Sequence, residues 1–164
     1  MSTPSRLASY ITFKLGPELF AIEVARVREV LDRSEITRMP MAPPCMLGVV
    51  NVRGSAVPVI DLRSKLGLAP ATDTVHTRIV VLEIDLDGRP TVVGGLADSV
   101  HEVIELDHSQ LSDPPRIGMR WRADLIEGLG KKADQFILVL DLARVFASDE
   151  ALRAVAAQPA PEAA

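Results

Sequence analysis

Three short stretches hold residue types that could do chemistry. His101-Glu102-Val103-Ile104-Glu105 begins like the helical zinc-protease motif, in which two histidines four residues apart hold the metal and a glutamate between them acts as base. Here the second histidine position is Glu105. The segment also reads as a strand, on which positions i and i+4 do not converge as helical ligands do. Gly128-Leu129-Gly130-Lys131-Lys132 has the glycines and lysine of a phosphate-binding loop. The first glycine of such a loop would fall at Leu125 and its Ser/Thr at Lys132, so the turn and the metal ligand are both missing. A hairpin turn with solvated lysines is the simpler reading. Cys45, the single cysteine, has no histidine near it in sequence to act as a base. The acidic residues are mostly single, between apolar positions, and form no acid–base pair by spacing. The expectation is a protein without catalytic residues, metal or cofactor.

One stretch points to recognition instead. In Asn51-Val52-Arg53-Gly54-Ser55-Ala56-Val57-Pro58, a tight Arg-Gly turn joins two apolar strands and pushes a guanidinium away from the body of the protein. Arginine anchors interfaces because its planar fork satisfies several acceptors while its stem packs on apolar surface.

The elements that would carry these residues follow from pattern. The chain has 164 residues, 48% apolar and 24% charged, enough for one domain or two merged halves with a real core. A net charge of −4 and 4% aromatics argue against nucleic acid, which needs a basic surface and stacking platforms. No apolar run approaches the ~20 residues of a membrane span, and Met1 to Arg6 lack an apolar signal segment, so a cytoplasmic protein is expected. Residues 10–22 read as a hairpin turning at Gly16-Pro17-Glu18. Val24, Val27 and Leu31 lie at helical spacing, which predicts a short amphipathic helix. Pro40, Pro43 and Pro44 make residues 39–45 a stiff loop. Two strands then meet at Arg53-Gly54-Ser55, with Pro58 placing the second at an edge or bulge. Asp61 caps a helix that Gly67 ends, and residues 68–76 are a linker. Strands at 79–86 and 91–96 flank the hairpin signal Asp87-Gly88. Another strand spans 100–106, Asp113-Pro114-Pro115 breaks the chain, and the strand 136–140 leads into a helix capped by Asp141. Residues 1–7 and the Ala/Pro-rich 148–164 read as tails around a unit of residues 8–147.

The chain also repeats. Val57-Pro58-Val59-Ile60-Asp61-Leu62-Arg63 parallels Ile137-Leu138-Val139-Leu140-Asp141-Leu142-Ala143, and Val27-Arg28-Glu29-Val30-Leu31 parallels Val100-His101-Glu102-Val103-Ile104. Two related halves of about five short strands each predict a mostly-β protein of two small barrels sharing a core.

The ordered series from Phe13-Lys14-Leu15 through Gly48-Val49-Val50-Asn51-Val52-Arg53-Gly54, Val57 to Arg63, Ala97-Asp98-Ser99-Val100, Ile126 to Gly130 and Phe136 to Asp141 resembles the CheW family. These are the adaptors that couple chemoreceptors to a histidine kinase in bacterial chemosensory arrays. The resemblance implies two SH3-like five-stranded β-barrels around a shared hydrophobic core, with short helices and no catalytic role. It implies contact with the regulatory domain of a CheA-type histidine kinase, and with the cytoplasmic tip of methyl-accepting chemoreceptors in a groove between the barrels. It brings the protein to membrane-associated arrays without membrane insertion. By the same resemblance Arg53, Val27, Gly48, Ile79 and Gly94 match receptor-side positions, with Glu29 beside them, and Leu111, Ser112, Pro114 and Ile117 match a kinase-side segment. The chain departs from the family pattern at Leu47, where some relatives are basic, at Ser112 and Ile117, where some have Arg and Phe, and in the small run Gly94-Gly95-Leu96-Ala97-Asp98. Those departures fit a paralogue serving a non-flagellar pathway, and a purely structural module is the remaining alternative.

Overall fold

The computed structural model describes residues 7–33, 36–40, 45–86, 88–113, 123–132 and 134–147. The expectations for Pro43, Pro44, Asp87, Pro114, Pro115, Ile117 and nearly all of both tails fall outside them. Among the described residues the strands are β1 Leu7–Leu15, β2 Glu18–Glu23, β3 Val27–Asp32, β4 Met46–Val52, β5 Ser55–Asp61, β6 Arg78–Leu86, β7 Arg89–Ala97, β8 Ser99–Asp107, β9 Ile126–Lys132 and β10 Gln135–Leu140. Two short helices, α1 Leu62–Leu66 and α2 Leu142–Ala147, follow β5 and β10.

The strands form two five-stranded sheets, ordered β8-β1-β2-β10-β9 and β3-β6-β7-β5-β4. We call them the first and second barrel. The stretch after β3 closes the second, because Thr37 and Val49 of β4 exchange backbone hydrogen bonds of 2.8 Å in both directions. Ser112 and Leu129 of β9 do the same for the first barrel, at 3.0 and 2.7 Å. Closure leaves few free edges.

Each barrel has its own small core and a share in a common one. Tyr10, Ala21, Ile104, Leu106, Ile137 and Val139 fill the first barrel, and Val50, Val57, Val59, Ile79 and Val81 fill the second. Between them, Phe13, Leu15 and Phe20 of the first sheet pack with Val80, Leu82 and Ile84 of the second, sealed by Leu62 and Leu66 of α1 and Val145 and Phe146 of α2. This two-faced burial follows from strand alternation, which sends successive side chains to opposite faces. Phe13 and Phe20, cross-strand partners with ring centroids 5.8 Å apart, sit in the common core.

The repeat is real, but its halves are not the barrels. In topology β3, β4 and β5 correspond to β8, β9 and β10, and the hairpin β6–β7 corresponds to β1–β2. Each sequence half therefore keeps its three later strands and gives its leading hairpin to the other barrel. Parallel pairing makes both exchanges: β10 takes β2 at Val139↔Ala21, and β5 takes β7 at Val59↔Gly94.

Local signals explain most elements. Asp61 accepts the Arg63 amide at 3.1 Å and Gly67 ends α1, as the capping pattern requires. Asp141 likewise accepts the Arg144 amide at 3.1 Å to start α2. Two expectations are corrected. Residues 24–31 are not an amphipathic helix: Val24–Arg26 make one 3-10 turn, and β3 then pairs antiparallel with β6, Val30 opposite Val80 and Leu31 opposite Ile79. Val27 and Leu31, four apart, share a face in a helix and in a regular strand alike, so their spacing cannot separate the two; here the irregularity between Val27 and Glu29 turns Val27 to the common core and Leu31 to the second barrel's own. Pro58 lies in an inner strand rather than at an edge. Its partner Val49 turns its own amide and carbonyl to Thr37, so the Pro58 nitrogen faces away from β4, and the pairing of β5 with β7 starts only at Val59. No bond to β4 is lost, whereas the ladder to β7 begins later than its counterpart in the first barrel, where Ile137 and Leu138 pair with β2.

Candidate interaction surfaces

Arg53 stands at the tip of the β4–β5 hairpin, and its turn is unusual. Val52 pairs with Ser55, so Arg53 and Gly54 are the two turn residues, both left-handed, with φ 51° and 87°. Such a turn matches strand twist but favours Asn-Gly, because a Cβ disfavours this backbone region. Among the described residues Arg53 is the only non-glycine with positive φ. Asn51 supports the turn by accepting the Gly54 amide at 2.8 Å. The Arg53 side chain is 84% exposed, and its Nε lies 3.4 Å from Glu29 Oε2 on β3. This pair spans the closing seam of the second barrel. Lys132 and Glu102, 2.5 Å apart, span the same seam of the first. Strain at a solvent-facing arginine is a cost the fold does not need. Relief of that strain, set against the loss of the weak Glu29 pair, means that Arg53→Asn should keep stability within about 1 kcal/mol of the wild type or slightly above it in urea denaturation, while removing the guanidinium.

The other positions that the resemblance matched to a receptor contact are mostly interior. Gly48 is buried on β4, where a Cβ would meet the Thr37 carbonyl oxygen at 2.2 Å, so the close approach that closes the barrel requires glycine. Ile79 is fully buried in the second barrel's own core, and a Cβ on Gly94 would come within 2.9 Å of it. Val27 is half-buried against the common core. Only Arg53 and Glu29 meet at the surface; Gly48, Ile79 and Gly94 shape what lies under them.

On the other barrel, Leu111 is half-buried against its core and Ser112 is held by the Leu129 bridge. Gly128 fits beneath, where a Cβ would be 2.8 Å from that of Leu111. Leu111 and Ser112 thus stand in the first barrel where Ile36 and Thr37 stand in the second. The Arg53 tip and the Leu111–Ser112 stretch thus lie at different places on two barrels joined by the common core.

A feature that motif reading overlooked ties the barrels together. Arg63 of α1 donates from Nε to Asp98 Oδ1 at 3.0 Å, and its Nη2 also pairs with Asp98 Oδ2. Gly16, in the β1–β2 turn of the first barrel, donates its amide to Asp98 at 2.7 Å, and Arg63 Nη1 reaches the Ala69 carbonyl at 2.8 Å. Burial pushes the Asp98 carboxyl up, but the Arg63 and Gly16 hydrogen bonds and the Arg63 charge outweigh it and hold it below its ordinary value. A carboxylate whose folded value is lowered adds stability above its unfolded value, about 3.9, and loses it as pH falls through the folded one. Asp98→Asn should cost about 2 kcal/mol near pH 7, between a surface pair and a buried one, and should flatten the acid side of the stability–pH curve. Urea titrations from about pH 7 to about pH 3 check both.

Of the stretches weighed for chemistry, Gly128–Lys132 is part of β9 rather than a hairpin turn, with Lys131 and Lys132 exposed. His101 lies on β8 and contacts Ser99 Oγ at 2.8 Å. Cys45 packs against the common core, its carbonyl accepting the Asp61 amide at 2.7 Å. Among the described residues no group of three or more His, Cys, Asp or Glu could hold a metal ion.

The architecture has clear relatives. The CheW-like domain pattern matches residues 9–150. The chain belongs to the CheW-like domain family. It is 31% identical over 140 residues to the probable chemotaxis protein CheW of Rhizobium etli, covering 85% of this chain and 88% of that one. Its fold matches the crystal structure of the scaffolding protein TtCheW from Thermoanaerobacter tengcongensis with a TM-score of 0.74 and 29% identity, over 89% and 90% of the two chains. Protein PilI of Pseudomonas aeruginosa is 34% identical over 100 residues, 61% of this chain and 52% of that one. As a CheW-like protein with paired SH3-like subdomains, the chain is a non-catalytic coupling protein of chemotaxis-type signalling. No helix among the described residues is long and apolar enough to cross a membrane.

Proposed function

We propose that this CheW-like protein couples methyl-accepting chemoreceptors to a CheA-type histidine kinase within a chemosensory array. The observation that carries the reading is the strained, exposed Arg53 at the tip of one barrel, on a body whose other barrel carries the separate Leu111–Ser112 stretch. An adaptor needs two separated surfaces with little flexibility between them, and the common core and the Arg63–Asp98–Gly16 lock supply the rigidity. Residues 8–147 act as the working unit, with 1–7 and 148–164 as tails. The receptor tip, a helical hairpin, docks in helix-in-groove fashion on the Arg53–Glu29 side, where Arg53 sets its register through charge-assisted hydrogen bonds. Gly48, Ile79 and Gly94 keep that side in shape, and Val27 borders it. The kinase regulatory domain meets the segment from Leu111 through Pro114 to Ile117. Each contact is modest, and multivalency in the array supplies the working avidity. The departures from the family pattern at Leu47, Ser112 and Ile117 favour, as a second reading, a paralogue serving a non-flagellar chemosensory output. Isothermal titration with a purified receptor signalling tip and with a kinase regulatory domain tests the proposal: both bind if it holds, and a chain that binds neither is a structural module.

A further inference from the structure

The internal repeat allows one barrel to be read against the other. In the second barrel, a cavity of ≈ 280 Å³ has Leu47, Asp61, Arg63 and Leu96 in its wall. At the related place in the first barrel lies a cavity of ≈ 140 Å³ bordered by Glu23, Arg26, Glu127, Asp141, Leu142 and Ala143. Strand pairing fixes the correspondence. Leu47 is the bulged residue of β4 between Met46 and Gly48, and Glu127 is the bulged residue of β9 between Ile126 and Gly128. Asp61 sits beside Leu96, and continuing the β10–β2 register from Val139↔Ala21 sets Asp141 beside Glu23 in the same way. Arg63, two residues beyond its capping aspartate, corresponds to Ala143. Two apolar wall positions of one cavity are therefore glutamates in the other, and its arginine is an alanine.

The charges in the smaller cavity are lopsided. Glu23, Glu127 and Asp141 border it together with a single cation, Arg26. From neighbouring elements, His108 Nε2 approaches Glu127 at 2.6 Å, and Arg144, two-thirds exposed, approaches Asp141 at 3.5 Å. Burial, with Asp141 and Glu23 as like charges, raises the Glu127 carboxyl despite His108. A second observation is independent of these acids. Tyr10 is fully buried, and its hydroxyl has no hydrogen-bond partner. It faces Glu23 directly across β1–β2, and after burial the Glu23 and Glu127 carboxylates are the charges its hydroxyl feels most. An unpartnered buried hydroxyl is costly, so the polar groups behind this cavity are incompletely satisfied.

We propose that this cavity receives the guanidinium of an arginine presented by a partner protein, at the place where the other barrel carries its own Arg63. A guanidinium carries five donors in a planar fork, suited to several acceptors around one cavity, as two glutamates and an aspartate are here. An ammonium would satisfy fewer of them. A protein source fits the position, because the His108–Glu127 contact joins the cavity to the stretch leading into Leu111 and Ser112. The inference stands on the repeat and the cavity, whichever partners the chain couples.

The test uses the full chain, labelled with nitrogen-15 and titrated with N-acetyl-arginine amide as the stand-in for the side chain. Saturable shifts are expected at the amides of Glu23, Glu127 and Ala143, with N-acetyl-lysine amide binding more weakly. Two variants locate the site. Glu127→Gln removes an acceptor; Ala143→Arg refills the cavity from within, at an exposed position of α2 that accepts the longer side chain. Each should weaken binding about tenfold or more, and Ala143→Arg should also raise the unfolding midpoint. No saturable shift with the arginine probe, or unchanged affinity in folded Ala143→Arg, overturns the proposal. Agmatine, a free guanidine, binding tenfold more tightly than the blocked arginine overturns the assignment to a protein partner.

Discussion

Cut within the linker between α1 and β6, the chain yields two fragments that are unfolded apart and fold together on mixing. The strand exchange demands this outcome. The N-terminal fragment holds β1–β5, but its hairpin β1–β2 belongs to the first barrel and its β3–β5 to the second. Alone it has neither a complete sheet nor a common core, since Phe13 and Phe20 lose Val80, Leu82 and Ile84. The C-terminal fragment is deprived in the same way: β6 and β7 lose β3 and β5, and β8 and β10 lose β1 and β2. Mixing restores every pairing, now as an association whose stability depends on concentration. Circular dichroism and urea unfolding of each fragment, alone and in equimolar mixture, read the result. A cooperative transition in either fragment alone would contradict the exchange.

Arg53→Glu leaves the chain folded and removes binding to the receptor tip. The exposure of Arg53 and its 3.4 Å contact to Glu29 make the pair worth at most about 1 kcal/mol, and the new glutamate adds a mild repulsion from Glu29 of similar size. Stability should fall by no more than that. Binding should fall by tenfold or more, because a charge meant to fix register is reversed. Arg53→Asn separates the two roles of the residue: it is at least about as stable as the wild type, yet loses the same binding. A variant that unfolds, or that binds as well as the wild type, would remove Arg53 from the interface.

Much of this protein was legible residue by residue, and the illegible part has a common cause. Asp61, Gly67, Asp141 and the Arg53-Gly54 turn act through neighbours a few positions away, so their meaning is printed locally. The repeat was visible at Val57–Arg63 and Ile137–Ala143 for the same reason. What the barrels do with the hairpins was not, since β2 and β10 pair across more than a hundred residues and no local signal names the partner. The β3 segment was misread because Val27 and Leu31 satisfy both periods, and only pairing with β6 decides. At the candidate surfaces, Arg53 stood out by type and turn, and Leu111 and Ser112 by resemblance. The Arg63–Asp98–Gly16 lock lay hidden, because its members are 35 and 82 positions from Asp98. An arginine two residues after a capping aspartate, compared with the alanine at the same place in the repeat, was the signal that could have exposed it.

The central claim is that one rigid body joins a receptor to a kinase, and affinity capture from the native cell tests it most directly. Wild-type chain and Arg53→Glu are used as bait under gentle conditions, and the captured proteins are identified. The account predicts a histidine kinase and chemoreceptors with the wild type and loss of the receptors with the variant. Wild-type chain that captures neither would contradict it.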